Sequence, residues 1–370
     1  MSVAPAPASG SFLLSEEREE FRRSVSGFLQ RTSPEQEVRR LMETDEGYDA
    51  PVWRRMADEL GLQGLAIPEE YGGSGYGWNE LVLVLEEMGR ALLCAPYFST
   101  VALAANALLA VADDEARRDY LPGIASGETI ATLALAEDSG RWEPEAVALA
   151  AADGELRGHK MYVIDGHVAS LILVAARSGD GVELFAVDGD APGLARTQLM
   201  TMDQTRKQAR LEFDGTPARR LGPFDPAILD RAAVALAAEQ AGGAARCLEL
   251  ATEYANDRIQ FGRPIGSFQA IKHKLTDLLM EAESARSAAY YAGWAATEAP
   301  DELPLAAPLA QAYASEAFFH AAAENIQVHG GIGVTWEHPA HLYFKRAKTS
   351  QLLLGDAAYH RELLAKRLGI

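Results

Sequence analysis

The chain has 370 residues, more than one ordinary hydrophobic core accommodates, so two or three domains are expected. Hydrophobic residues make up 48% and aromatics 8%, which excludes disorder, and a formal net charge of -19 argues against nucleic acid or an anionic membrane as partner, since both demand basic surface. Only Cys94 and Cys247 are present, too few for a disulfide framework or a zinc site, no metal site is expected, and no run approaches the roughly 18 uninterrupted apolar residues of a membrane span.

Residues 1–14 carry neither a basic nor an apolar targeting segment and read as a flexible tail of a cytoplasmic protein. From Ser15, a serine followed by acidic residues starts an amphipathic helix with Phe21, Val25, Phe28 and Leu29 on one stripe. A second helix follows over Pro51–Leu60, and then GLQGLAIPEEYGG, Gly61–Gly73, breaks the pattern as a compact loop. Asn79–Leu92, Thr100–Val111 and Asp114–Tyr120 add further helices, so residues 15–125 are expected to form an N-terminal α-helical domain.

At Thr129 the composition turns to Val, Ile and Leu in short runs divided by Gly, Asp and Pro. Thr129–Ala136, Leu156–Ile164, Leu171–Ala176, Val182–Val187 and Ala209–Phe213 are strand candidates for a small antiparallel β domain over 126–224. From Asp225 to Ile370 the chain is helical apart from turns at Phe261–Ser267, Pro300–Pro304, Gly330–Pro339 and Gly355. These helices are rich in Ala, with Ala241-Gly242-Gly243-Ala244-Ala245 letting backbones approach, and they read as a four-helix bundle. The fold class is α+β in the order all-α, β, all-α.

Between the first two of those helices, Gly262, Pro264 and Gly266 stop one helix and turn the chain. Arg258, Gln260 and Phe261 then lie at a helix end and in the loop leaving it, where a guanidinium, an amide and a ring can grip a phosphate and stack on a flat ring. The same residues also fit a helix end whose arginine pairs with a neighbouring carboxylate.

Tyr254-x-x-x-Arg258-x-Gln260-Phe261-Gly262-x-Pro264-Ile265, followed by Phe268-Gln269, resembles the C-terminal signature of the acyl-CoA dehydrogenase family, and Pro68-Glu69-Glu70-Tyr71-Gly72-Gly73 is similar to its N-terminal turn. The resemblance implies that family's three-domain plan. It also implies that Arg258, Gln260, Phe261 and Phe268, with Gln327, Val328, Gly330 and Gly331, hold the pyrophosphate and adenosine half of an FAD belonging to the adjacent subunit.

In that family a carboxylate removes the α-proton of an acyl-CoA while the β-hydrogen leaves as hydride to flavin N5. Counting on from the Gly330-Gly331 motif without a gap, the base position falls on Leu354, and the alternative base of other members falls on Ala232. Neither accepts a proton, so no catalytic residue is expected in this chain, and a missing general base costs about 10²- to 10⁴-fold in rate. The cis flavin cradle departs from the family too: the Thr-Glu-Pro-x-Ala-Gly-Ser-Asp motif appears as Ala136-Glu137-Asp138-Ser139-Gly140-Arg141-Trp142-Glu143. Likewise the Trp-Ile-Thr segment is Tyr162-Val163-Ile164, and two further flavin contacts become Asp356 and Ala358.

The clamp in trans is kept while the pocket in cis is changed. That division resembles the non-catalytic subunit of the actinobacterial α2β2 acyl-CoA dehydrogenases acting on steroid side chains, and it implies a homologous partner subunit carrying the catalytic Glu, an acyl-CoA substrate, and an electron-transfer flavoprotein or similar acceptor. The alternatives are a self-sufficient homotetramer with an unassigned base, and a flavin-dependent monooxygenase or binding protein on the same fold. Among remaining candidates, His329 is expected to make a structural hydrogen bond at a helix end, and Asp356 is an alternative candidate for a substitute base. His338, His341 and His360 are read as surface residues, and Lys345, Arg346 and Lys348 as a solvated face.

Overall fold

The computed structural model describes residues 15–179 and 181–370, so the tail expected over 1–14 lies outside the described residues. Helix α1 (Glu16–Thr32) starts at Ser15, whose hydroxyl accepts the Arg18 N–H, and buries Val25, Phe28 and Leu29. Then come α2 (Glu35–Met42), too short to stand out in the sequence, and α3 (Ala50–Leu60). The Pro68–Gly73 loop is a single 3₁₀ turn in which a Cβ on Gly73 would lie 2.0 Å from the Ile67 carbonyl oxygen, so only glycine fits. Helix α4 (Trp78–Arg90), a π-helical stretch Phe98–Ala105 running into α5 (Asn106–Ala110), and α6 (Asp114–Ala125) complete this helical part.

Eight strands follow: β1 (Ala131–Ala134), β2 (Ala150–Ala152), β3 (Glu155–Ile164), β4 (Leu171–Ser178), β5 (Gly181–Asp188), β6 (Leu194–Gln198), β7 (Gln208–Pro217) and β8 (Arg219–Pro223). They form one sheet in the order β6-β7-β3-β2-β4-β5-β8, with β1 also beside β4. The pairing is antiparallel except where β1, and β2 at Ala150, run parallel to β4; the long connection through 135–170 supplies the crossover that parallel neighbours need. Strand β6 escaped the sequence pattern because its residues are half exposed at the sheet edge rather than alternately buried.

The C-terminal part comprises α7 (Ala227–Asp257), the two-residue strands β9 (Ile259–Gln260) and β10 (Arg263–Pro264), and then α8 (Gln269–Glu298), α9 (Leu303–His329), α10 (Ala340–Leu352) and α11 (Ala357–Leu368). Its breaks fall at the expected turns, and the last segment divides into α10 and α11 where Leu354 and Gly355 both take positive φ. Helices α4 and α7 cross at glycines: a Cβ on Gly242 would lie 1.9 Å from the Glu86 carbonyl oxygen, and one on Gly89 would lie 1.9 Å from that of Glu239. The Gly242 contact is the close approach that the Ala/Gly run implied. Among the described residues no helix is long and apolar enough to cross a membrane.

Where the three parts meet, a charged network replaces apolar packing. Arg346 on α10 is 3% exposed and donates from Nε to Asp203 (2.8 Å), from Nη1 to Glu239 (2.9 Å) and from Nη2 to the Thr205 hydroxyl (2.7 Å). Burial opposes its charge, but Asp203 and Glu239 outweigh that and hold the guanidinium protonated. Arg206 donates to the same Glu239 carboxylate and lies over the Phe98 ring at 4.8 Å. The expected solvated face at Lys345–Lys348 is therefore corrected at its central residue: α10 turns Arg346 inward because two buried carboxylates wait there.

The histidine expectation is corrected as well. His341 and His360 are 8% and 3% exposed, and burial pushes both down to about 4; only His338 remains half-buried. His360 donates from Nε2 to the Leu354 carbonyl (3.1 Å), so it ties α11 to the break before it.

Asp165 adjoins the network and accepts the Ser99 hydroxyl at 2.6 Å. Burial pushes its carboxyl up to about 6 against the lowering effects of Ser99, Arg206 and Arg346. The folded state thus favours the protonated acid: its contribution to stability is fully present below the unfolded carboxylate pKa near 3.9 and is lost as pH rises through about 6. Asp165→Asn keeps the Ser99 contact and suits the residue's positive φ. It is expected to stabilise the chain by about 1–2 kcal/mol at pH 7.5 and by nothing near pH 4, as read from denaturant midpoints at the two pH values. A destabilised variant at pH 7.5 contradicts this account.

Candidate functional site

Helix α7 ends at Arg258, whose N–H donates to the Tyr254 carbonyl at 2.8 Å before the backbone extends. Strands β9 and β10 then pair with Gln260 opposite Arg263 and Ile259 opposite Pro264, and the Ile265 N–H donates to the Arg258 carbonyl at 2.9 Å. The two turn residues, Phe261 and Gly262, have φ of +53° and +76°. Positive φ is ordinary for glycine and unfavourable for a bulky side chain, so Phe261 sits in a strained conformation of the kind that collects at functional sites. The strain carries its ring outward: it is 92% exposed and meets the Phe268 ring edge-on at 6.0 Å.

The end of α9 reaches the same place. Val328 packs with Ala251 and Ala255 of α7 in a small core against which Tyr254, Ile265, Ile271 and Leu275 lie. Gln327 is exposed, and Gly330, at φ +63° and ψ -139°, stops α9 in a conformation natural to glycine. A Cβ added to Gly330 or Gly331 would meet nothing within 4 Å, so this backbone faces open space. The structure thus brings Arg258, Gln260, Phe261 and Phe268 to the same end of the bundle as Gln327, Val328, Gly330 and Gly331. His329 donates from Nδ1 to the Asn325 carbonyl (2.8 Å), the expected structural hydrogen bond, and its ring lies between those of Tyr254 at 4.4 Å and His338 at 4.1 Å, tilted to both.

This hairpin carries two arginines close together. Most arginines of this acidic molecule pair with carboxylates, yet among the described residues no carboxylate pairs with Arg258 or Arg263. The carboxylate-paired helix end weighed as the alternative is therefore absent for Arg258. Two unpaired guanidiniums, the Gln260 amide and an exposed ring form a donor set suited to a diphosphate with an attached flat base. Arg263 was not singled out from the sequence. The hairpin that places it turns at Phe261-Gly262 rather than at an Asn-Gly pair, so the usual mark of a two-residue turn is missing.

The base positions tell the opposite story. Ala232 is 0% and Leu354 5% exposed, both apolar and both in the main core. Beside Leu354 lies a cleft of about 520 Å³ between the sheet and the C-terminal helices, lined by Trp142, Tyr162, Gln208, Thr349, Asp356 and Tyr359 among others. The altered cradle therefore still leaves a space. Trp142 donates from its indole to the Leu352 carbonyl across it (3.2 Å), whereas Ile164 is buried in the core and offers the cleft nothing. Glu137 is used structurally: it accepts the Leu149 N–H (2.9 Å) and the Lys160 ammonium (2.8 Å). Asp356 lines the cleft but caps α11, accepting the Tyr359 N–H at 2.8 Å.

Comparison with known proteins identifies the family. A family model described as the C-terminal domain of acyl-CoA dehydrogenase matches residues 227–369, and one described as its N-terminal domain matches residues 15–128. The chain is similar to acyl-CoA dehydrogenase IpdE2 of Mycobacterium tuberculosis, with 41% identity over 339 residues covering 92% of this chain and 93% of the relative. Among solved structures, a variant of the Tcur3481-Tcur3483 steroid ACAD superposes with a TM-score of 0.88 at 34% identity, covering 96% of this chain and 98% of that one. The ChsE4-ChsE5 complex from Mycobacterium tuberculosis gives a TM-score of 0.89 at 31% identity, covering 97% and 99% of the two chains.

Proposed function

Because this chain belongs to the acyl-CoA dehydrogenase family, flavoprotein oxidoreductases acting on CH–CH groups, we propose that it is the clamp-bearing, non-catalytic subunit of a heteromeric acyl-CoA dehydrogenase. The observation that carries this reading is the contrast between an exposed, carboxylate-free clamp at Arg258–Phe268 and apolar, buried residues at both base positions. The two solved relatives are themselves named as paired proteins, one of them a steroid ACAD, which favours a homologous partner and a steroid side-chain CoA thioester as substrate.

In this reading FAD lies at the interface with the partner and, when bound, supplies the hydride acceptor for α,β-desaturation of the acyl-CoA. The residues of this chain hold rather than react. Arg258 neutralises the diphosphate, Gln260 hydrogen-bonds beside it, and Phe261 covers the flat adenine side. Gln327 and the open Gly330-Gly331 backbone form the other wall on Val328's packing. The partner supplies the carboxylate that takes the α-proton, and an electron-transfer flavoprotein or similar acceptor reoxidises the assembly.

The cleft beside Leu354, with Asp356 at its edge, favours a second reading, a self-sufficient dehydrogenase. The two separate on colour. The chain expressed alone is expected to purify without flavin absorbance, and co-expression with a homologous dehydrogenase subunit is expected to give a yellow complex. Stoichiometric FAD and thioester desaturation by the chain alone would sink the proposal; oxygen consumption on reduction would turn the reading to a monooxygenase.

Leu354→Glu tests the same point inside the chain. The Leu354 side chain is buried in the core, so a carboxylate there does not enter the cleft and is itself destabilising. The isolated variant is expected to show no acyl-CoA-dependent dye reduction and a lowered Tm.

A further inference from the structure

We propose that Arg263 is a second phosphate-binding residue of the clamp, so that the hairpin presents two guanidiniums to the two negative charges of a dinucleotide's diphosphate. The inference rests on the reading of this hairpin as a nucleotide clamp. It goes beyond that reading because the motif led only to Arg258.

The hairpin's register carries the argument. Residues two apart on a strand share a face, and directly opposed residues of an antiparallel pair share one too. Arg258 and Gln260 are two apart, and Gln260 stands opposite Arg263, so all three side chains issue from one face of the ribbon while Ile259 and Pro264 issue from the other. Pairing continues through the Ile265 N–H to the Arg258 carbonyl, which makes Arg263 and Arg258 diagonal neighbours. Like charges so placed repel, and among the described residues neither guanidinium forms an ion pair with a carboxylate.

The ring contacts show how Arg263 is held. Its guanidinium lies 4.1 Å from the centre of the Phe268 ring, and Phe268 in turn meets Phe261 edge-on at 6.0 Å. Cation–π attraction is stronger on a partly desolvated ring, and Phe268, at the start of α8, is half-buried. One face of Phe268 is therefore taken by Arg263. Phe268 acts as a prop for the second cation and for Phe261, and Phe261 is the ring left free to cover a base.

The test uses the complex formed by co-expression with a homologous dehydrogenase subunit, stripped of flavin and titrated with FAD by fluorescence. Arg263→Met keeps an unbranched apolar stem beside Phe268 but removes the charge and the guanidinium over the ring. The dissociation constant for FAD is expected to rise about tenfold or more in the Met variant, with the Tm of the flavin-free complex unchanged, and Arg263→Lys is expected to recover most of the loss. A Met variant that binds FAD within about twofold of wild type overturns the proposal, as do equal losses in the Lys and Met variants, because packing rather than charge would then be at work. Arg258→Ala measured in parallel separates the two levels: if it weakens FAD and Arg263→Met does not, only the second cation fails. If neither matters, or the intact complex takes up no FAD, the clamp reading itself fails.

Discussion

Arg346→Ala is expected to destabilise the chain by about 3–5 kcal/mol, enough to leave most of it unfolded or aggregated on expression. The substitution removes one partner of a buried network and leaves Asp203 and Glu239, 1% and 5% exposed, without the guanidinium that bridges them. Arg206 still contacts Glu239, but Asp203 keeps only the amide and hydroxyl of Thr205. Because the network joins the loop before β7 to α7 and α10, its failure separates the sheet from the helices rather than loosening one element. Urea unfolding followed by both far-UV dichroism and tryptophan fluorescence is the measurement, and a loss below about 1 kcal/mol would refute the assignment. A simultaneous apolar replacement of the whole network, Arg206→Met and Arg346→Met with Asp203→Leu and Glu239→Leu, is expected to recover much of the stability, since the cost comes from stranded charges more than from lost attraction.

Arg258→Ala is expected to do the reverse, leaving the fold intact and emptying the complex of flavin. Arg258 is exposed and pairs with no carboxylate among the described residues, so its loss is expected to move stability by less than about 0.5 kcal/mol. A charge-assisted contact to a diphosphate is worth about 1.5–3 kcal/mol, so the dissociation constant for FAD is expected to rise roughly tenfold to 150-fold. Flavin-to-protein ratio after gel filtration of the complex, beside its Tm without flavin, reads both quantities. Unchanged flavin content removes Arg258 from the site. Arg258→Lys is expected to fall between, because an ammonium keeps the charge but loses the planar fork.

The two arginines illustrate how far residue type alone can be read. Lys345, Arg346 and Lys348 look like a solvated basic face, and on a helix of unknown orientation nothing in the sequence separates the middle residue from the outer two. Arg346 faces inward because Asp203, more than a hundred residues earlier, is brought opposite it by the sheet. The burial of His341 and His360 is hidden in the sequence for the same reason. Each is an ordinary polar residue of a short helix, and the neighbours that bury it come from elsewhere in the chain. Arg263 carries no mark in the sequence because a two-residue strand has no periodicity to detect; only the pairing of Gln260 with Arg263 shows that it joins the face of Arg258.

The order of helices, strands and helices, the turns that separate them, the family, and the lack of a proton acceptor at Leu354 and Ala232 were all determined by the sequence itself. These depend on local propensity, on apolar periodicity and on which chemical groups are present, all properties of neighbouring residues. Tertiary structure alone decided which charges are buried, that the Gln327–Gly331 segment shares a small core with the hairpin, and that Phe261 is held outward at positive φ. Burial and convergence are sums over contacts between distant segments, and no window along the chain contains them.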